Sequence, residues 1–307
     1  MLAHRWHPDG DARFVSGDSS KSVFCLESDP GTIFLRVATL TVRPFALVAG
    51  AVNWQCHLFH KAGAPVAEPL MSLDGFWVEA VSSGDETYVA TATRGIPGRP
   101  VVFSNPSDVT MWAQAVGLLH AASRSYTPSP VATRLGTIAG ELPTLGDLWN
   151  QIEPVIKNDP LLRERYAQGS MYLERAPEPT QITHGDVRPE NVLVSDGRVV
   201  LLDFDEPTIA WAPYDLARMM LDDDARPAAN PGAHLSAIRA GYRRGRPWAT
   251  ILDDDVEQLL NVRVLLMYAW SLQDPAGSTE TWLHQLRSLL CSPWSLRNRL
   301  RPAAGLS

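Results

Sequence analysis

The chain has 307 residues, of which 45% are hydrophobic and 20% charged, and a formal charge of −7 at pH 7. This length holds two modest domains or one large one, and the composition excludes a disordered, collagen-like or coiled-coil protein. The acidic balance gives no footprint for a nucleic-acid partner, though it suits a cationic small substrate.

The N-terminus, MLAHRWHPDG, has no apolar run behind its basic residues, so no secretory leader is expected. No stretch approaches the ~18 apolar residues that span a bilayer, and the expected compartment is the cytoplasm. Residues 13–37 read as two strands joined by a turn: Phe14-Val15 lead into GDSSKS, Val23 to Leu26 follow, and Thr32 to Val37 continue in β-branched and aromatic residues. From Phe45 to Lys61 apolar residues recur at helical spacing, stopping near Ala62-Gly63. Strand-like runs follow at 75–81 and 88–93.

The stretch Arg94 to Pro100, RGIPGRP, is dense in glycine and proline and reads as a linker. Beyond it, Asp108 is expected to cap a helix running through Trp112, Val116, Leu119 and His120. Further helices are expected near 144–175, 233–244, 255–272 and 279–290. Asp253-Asp254-Asp255 reads as a solvated helix start, where anions favour the dipole. Cys25, Cys56 and Cys291 are scattered, which indicates neither a disulfide framework nor a zinc site. His57 and His60 have a spacing compatible with metal ligation, but no third ligand is evident. Asp222-Asp223-Asp224 reads as a solvated loop, with an acidic wall attracting an amine as the alternative.

The segment richest in chemistry is THGDVRPENVLVSDGRVVLLDFDEPTIAWAPYDLA, residues 183–217. Two apolar runs, Asn191 to Val194 and Val199 to Leu202, flank Ser195-Asp196-Gly197-Arg198. Asp-Gly favours a two-residue hairpin turn. Centring the turn there pairs Val194 with Val199 and, at the open end, Asn191 with Leu202. Opposed Cα atoms in such a ladder lie about 4.5–5.5 Å apart, so Asn191 and Asp203 emerge side by side carrying hard oxygen ligands suited to magnesium. Asp186, five residues before Asn191, sits on the loop entering the same hairpin, where a carboxylate can orient an acceptor hydroxyl and take its proton.

HGDVRPEN resembles the HGDxxxxN catalytic loop of the aminoglycoside phosphotransferase and choline kinase superfamily, small-molecule relatives of protein kinases. LLDFDE resembles the magnesium-binding segment of that superfamily, and YDLA at 214–217 its downstream continuation. The resemblance implies an α+β, bilobal kinase-like fold, with a small β-rich N-lobe (1–93), a hinge (94–100) and a larger, mainly helical C-lobe (101–307). It implies an ATP- and magnesium-dependent transfer of phosphate to a hydroxyl. Asp186 would be the base, Asn191 and Asp203 metal ligands and Asp215 a buried anchor of the catalytic loop, with His184 and Asp205 in secondary roles. More weakly, GDSSKS sits where the superfamily covers its nucleotide, which offers Ser19 and Ser20 to phosphate oxygens. The linker at Arg94 and Ile96 falls where such enzymes present backbone to adenine, and VGLLHAAS at 116–123 resembles a family helix.

Two positions depart from the pattern. Arg36 stands where kinases carry a phosphate-contacting lysine, and Ala51 where its partner glutamate is expected, leaving Glu68 or Glu79 as substitute acids. An antibiotic, either an aminoglycoside or a basic peptide, is the leading acceptor. Metabolic acceptors such as homoserine, an amino alcohol or a sugar, and protein serine or threonine, are the alternatives. A catalytically inactive scaffold remains the reading from a different class.

Overall fold

The computed structural model describes residues 2–7, 11–17, 21–27, 31–133, 136–175, 180–274 and 278–292. The N-terminal part is an antiparallel sheet with a helix on it. Strands β1 (Ala12–Gly17), β2 (Ser22–Leu26) and β3 (Ile33–Thr39) lead into helix α1 (Phe45–Cys56), then β4 (Pro69–Leu70), β5 (Glu79–Ser83) and β6 (Glu86–Arg94). The sheet order is β1-β2-β3-β6-β4, with β5 also on β6. Residues 13–37 thus hold parts of three strands, because β2 ends at Leu26 and β3 begins anew at Ile33. Beyond Cys56 the helix widens into a π-type turn, His57–Lys61. Gly63, at φ 62°, ends it in a conformation that favours glycine.

Strand β7 (Arg99–Pro100) pairs antiparallel with β11 (Val192–Ser195). Since β6 runs through Arg94, only residues 95–98 of the glycine- and proline-rich stretch lie outside strands. Helix α2 (Pro106–Ser123) follows. Its cap is Asn105, whose side chain accepts from the Ser107 N–H. Asp108 does not cap the helix. It sits inside the first turn, where Arg99 (2.6 and 2.9 Å) and the Val102 N–H (2.8 Å) take its carboxylate.

The remaining elements are β8 (Val131–Thr133), β9 (Gly136–Ile138), α3 (Leu145–Ile156), α4 (Pro160–Leu173), β10 (Gln181–Thr183), β12 (Arg198–Leu201), β13 (Thr208–Ala210), α5 (Pro213–Arg218), α6 (Pro231–Gly245), α7 (Asp253–Gln273) and α8 (Glu280–Cys291). The helices of this C-lobe bury a large core that includes Trp112, Leu119, Ile152, Tyr214, Leu260 and Leu265. Gly117 on α2 and Gly241 and Gly245 on α6 let the two helices approach so closely that an added Cβ would overlap the facing backbone.

The two parts are stitched together. Trp54 of α1 reaches into the C-lobe core, its Nε1 donating to Ser123 Oγ (3.1 Å). Residues 65–67 bond to Leu201 of β12. The sheet keeps its own smaller clusters, one around Leu26, Ile33, Leu35 and Trp6 and another around Val52, Val78 and Val89.

Candidate active site

The segment from Thr183 to Asp203 begins on β10 and ends just past β12, and its shape follows from its residues. Asp196 and Gly197, at φ 50° and 72°, form the turn between β11 and β12. The ladder pairs Ser195 with Arg198, Val194 with Val199 and Val192 with Leu201. The Leu202 N–H donates to Asn191 O (2.9 Å), which closes the open end as the hairpin register requires. Between β10 and this hairpin, Gly185 adopts φ 84°, and an added Cβ would overlap Glu206 O. Glycine alone fits that bend.

The loop hangs on a fully buried carboxylate. Asp215 accepts from the N–H of His184 (2.8 Å) and of Gly185 (2.9 Å), and from His120 Nε2 (2.9 Å). His120 is also fully buried, and its Nδ1 faces Tyr242 OH at 2.9 Å, so VGLLHAAS contributes a polar strut as well as packing. Burial pushes the Asp215 carboxyl up, but His120 and the loop N–H groups outweigh it and hold it below its ordinary value. His184 Nε2 donates to Leu202 O (2.7 Å), and Nδ1 accepts from the Asp186 N–H (3.3 Å). Its ring leans on Phe204 (4.7 Å between centroids), which in turn meets Trp54 of α1 (5.5 Å).

Asp186 projects beside Asn191, whose Nδ2 donates to Asp186 O (2.9 Å) and Oδ2 (3.2 Å). The amide Oδ1 of Asn191, the atom suited to a hard cation, makes neither bond. Three arginines surround Asp186. Arg218 Nε and Arg263 Nη2 each lie 3.2 Å from Oδ1, and Arg188 Nε is 3.6 Å from Oδ2. Arg218 and Arg263 are buried; Arg218 also donates to Leu221 O, and Arg263 to Tyr214 OH (2.8 Å). Burial raises the Asp186 carboxyl, but these guanidinium groups outweigh it and hold it at about 2. Neither Arg218 nor Arg263 is legible as a partner from sequence spacing. The available signal was an arginine inside the apolar run Val262-Arg263-Val264-Leu265-Leu266.

Asp203, with a left-handed φ of 60°, and Asp205 face a second set of cations. Lys21 Nζ lies 2.9 and 2.7 Å from the two oxygens of Asp203 and 2.7 Å from Asp205 Oδ2. Arg36 Nε stands 3.5 Å from Asp203 Oδ1 and 3.9 Å from Asp205 Oδ2. Arg43 donates to Asp205 O (2.7 Å). Burial opposes ionisation of Asp205, yet Lys21, Arg36 and Arg43 together hold its carboxyl far below the usual range. Ala51 lies buried on α1, and the acids facing Arg36 are Asp203 and Asp205. The expected substitutes are engaged elsewhere: Glu68 takes Arg94 Nε (3.0 Å), and Glu79 accepts from Ser72 Oγ (2.6 Å).

The Arg94 N–H is bonded to Glu68 O (2.9 Å), so it is not open to a base, and Ile96 lies on the short 95–98 connection. Ser19 and Ser20 lie outside the described residues. His57 Nε2 is 3.1 Å from Ser125 Oγ, and at the α7 start Asp255 accepts from Tyr172 OH (3.1 Å). Among the described residues, no three His, Cys, Asp or Glu side chains group as a metal cage. No described helix is long and apolar enough to cross a membrane.

Arg188, 3.6 Å from Asp186, also lines a cavity of about 550 Å³ with Asp223, Asp224, Arg226, Trp282 and Gln285 among others; Asp186 itself is not in its wall. Of the aspartate triplet, Asp222 and Asp224 are tied to Arg226 (2.8 and 2.6 Å), while Asp223 accepts the Glu190 N–H (3.2 Å).

Comparison with known proteins agrees with this architecture. An amicoumacin kinase, solved with AMP-PNP, Ca²⁺ and a compound abbreviated Ami, superposes with a TM-score of 0.76 at 18% identity, covering 95% of this chain and 92% of its own. A microcompartment-associated aminopropanol kinase gives 0.73 at 18% identity, over 94% and 92%. The macrolide 2′-phosphotransferase of Brachybacterium faecium gives 0.57 at 17%, over 96% and 97%. No curated protein sequence matches. The profile of the phosphotransferase enzyme family (APH) matches residues 11–248, the span that carries Asp186, Asn191, Asp203 and Asp205, and the chain belongs to that family.

Proposed function

We propose that this chain is a cytoplasmic kinase that transfers the γ-phosphoryl group of ATP, bound as its magnesium complex, to a hydroxyl of a small molecule. The observation that carries the reading is one hairpin root. There Asp186 and Asn191 touch, and Asp203 and Asp205 follow directly on the return strand.

A cation fits that root: the Lys21 ammonium already stands among three carboxylate oxygens at 2.7–2.9 Å. Asp203 and the Asn191 amide oxygen would hold magnesium, which supplies charge neutralisation to the transferred group. Arg36 would face the phosphates, Ser19 and Ser20 would cover them, and the 94–100 segment would border the base between the lobes. Asp186, ionised at any working pH, would align the acceptor hydroxyl and receive its proton late in the transfer. Little basicity is demanded of it, because phosphoryl transfer relies mainly on positioning and electrostatics.

The acceptor would enter through the cavity that Arg188 shares with the surroundings of Asp186, where Asp223 offers an anion to an amine and Trp282 an apolar face. An amine-bearing antibiotic is the leading acceptor and an amino alcohol the second; the kinases for amicoumacin and aminopropanol among the structural neighbours support both. The test is ADP release measured across aminoglycosides, peptide antibiotics, amino alcohols, homoserine and sugars, alongside thermal shift with magnesium and ATP. The expected result is a rise in melting temperature with nucleotide and ADP release with at least one amine-bearing alcohol. A protein indifferent to millimolar ATP is a scaffold and not an enzyme.

A further inference from the structure

Lys21 was not singled out by any motif, yet it makes the shortest contacts to both carboxylates of the DFD segment. Its placement follows from strand register. Val23 of β2 opposes Arg36 of β3, and side chains alternate along a strand, so Lys21, Val23 and Arg36 share one face. That face looks onto Asp203 and Asp205. With Arg43 from the segment after β3, three cations confront two carboxylates. The Lys21 and Arg36 side chains are each only 16% exposed, and Arg36 Nε, though buried, donates no hydrogen bond.

Three cations gathered at one spot under a sheet, with the buried Arg36 Nε lacking a hydrogen-bond partner, form an environment for a polyanion. The two arginines approach the carboxylates less closely than the lysine does. Lysine is also a compact charge on a flexible four-carbon stem, able to change partners without moving its strand.

Resting on the kinase reading above, we propose that Lys21 is a phosphate-binding residue of the nucleotide site. In the nucleotide-free protein its ammonium holds the cation position between Asp203 and Asp205. With metal and nucleotide bound, it pairs with the polyphosphate. Together with Arg36 it supplies the phosphate-directed charge that a single lysine would otherwise provide, in a chain where Ala51 leaves no acidic partner on α1.

The test uses the full chain and two variants, Lys21→Met and Lys21→Arg, with circular dichroism to confirm folding. Calorimetric titration with ATP and magnesium is expected to show roughly 10–100-fold weaker binding for Lys21→Met, the range of one charge-assisted hydrogen bond, with much of the loss recovered in Lys21→Arg. Titration with Mn²⁺ alone, followed by electron paramagnetic resonance, is expected to show tighter metal binding in Lys21→Met, because the internal competitor has gone. If wild type binds ATP and Lys21→Met binds it equally well or better, Lys21 is only an internal counter-ion and the proposal is wrong. Unchanged Mn²⁺ affinity overturns the cation-position half. If wild type itself binds no ATP, the kinase reading fails first and takes this one with it.

Discussion

Asp186 and the Asp203–Asp205 pair flank the same hairpin, and both are ringed by cations, but the cations come from different places. Those on Asp186 belong to the C-lobe: Arg218 from α5 and Arg263 from α7, both buried and braced by carbonyls or by Tyr214, with the more exposed Arg188 beside them. Those on Asp203 and Asp205 reach over from the sheet: Lys21 before β2, Arg36 on β3 and Arg43 after it. The first neighbourhood is fixed by the packing of one lobe. The second joins two lobes through ion pairs, which the proposed nucleotide and metal would replace. The residue proposed to orient the acceptor is thus braced by one lobe, while the carboxylates proposed to receive the nucleotide's metal are met by cations from the other.

The sharpest way to break this contrast is Asp186→Asn, which keeps shape and loses charge. Turnover should fall by about 10²–10⁴-fold, while the thermal shift with magnesium and ATP persists, since the proposed nucleotide contacts lie in the other neighbourhood. Turnover at the wild-type rate would remove Asp186 from the reaction.

Next comes the anchor. Asp215→Ala strands two loop N–H groups and His120 in the interior. Unfolding in urea should show a loss of about 3–5 kcal/mol. A loss below 1 kcal/mol would mean that the loop holds itself.

A third test concerns pH. Because the folded Asp186 carboxyl is held at about 2, against an ordinary value near ~3.9, its stabilising effect is complete above that ordinary value. It is lost as pH falls through the folded value. Arg263→Met removes one of the opposing charges and leaves burial, so the carboxyl should rise by about one unit or more. The acid limb of kcat/KM should move to higher pH by the same amount, with circular dichroism verifying the fold across the range. An unmoved limb would show that Arg218 and Arg188 suffice.

The smallest effect is expected at the far end of the hairpin. Gly197→Ala meets no neighbouring atom but must keep φ 72°, which costs about 1–2 kcal/mol. It should lower the melting temperature slightly with ATP affinity unchanged.

The hairpin register, the position of Asn191 beside the catalytic loop and most helices were legible in the sequence because they depend on local patterns: Asp-Gly at a turn, alternating apolar residues, and stripes at helical spacing. What was not legible came from distance. Arg263 reaches Asp186 across 77 positions, and Lys21 reaches Asp203 across 182, and no periodicity encodes such meetings. Asp108 misled for a related reason: it looks like a cap, but Arg99 across the turn and the Val102 N–H claim it, while Asn105 caps the helix. For Arg36 the sequence raised the question of its partner, and tertiary structure supplied acids outside both the helix and the strand considered.

The cavity wall that includes Arg188 draws Ser271, Thr279, Trp282 and Gln285 from the α7–α8 corner, downstream of the span matched by the family profile. On the proposed reading, part of the acceptor wall therefore lies beyond the profile's span, while Arg188, Asp223, Asp224 and Arg226 of the same wall lie inside it. If that cavity receives the acceptor, exchanging residues 278–285 between relatives is expected to alter which alcohol is phosphorylated while leaving Asp186, Asp203 and Asp205 in place.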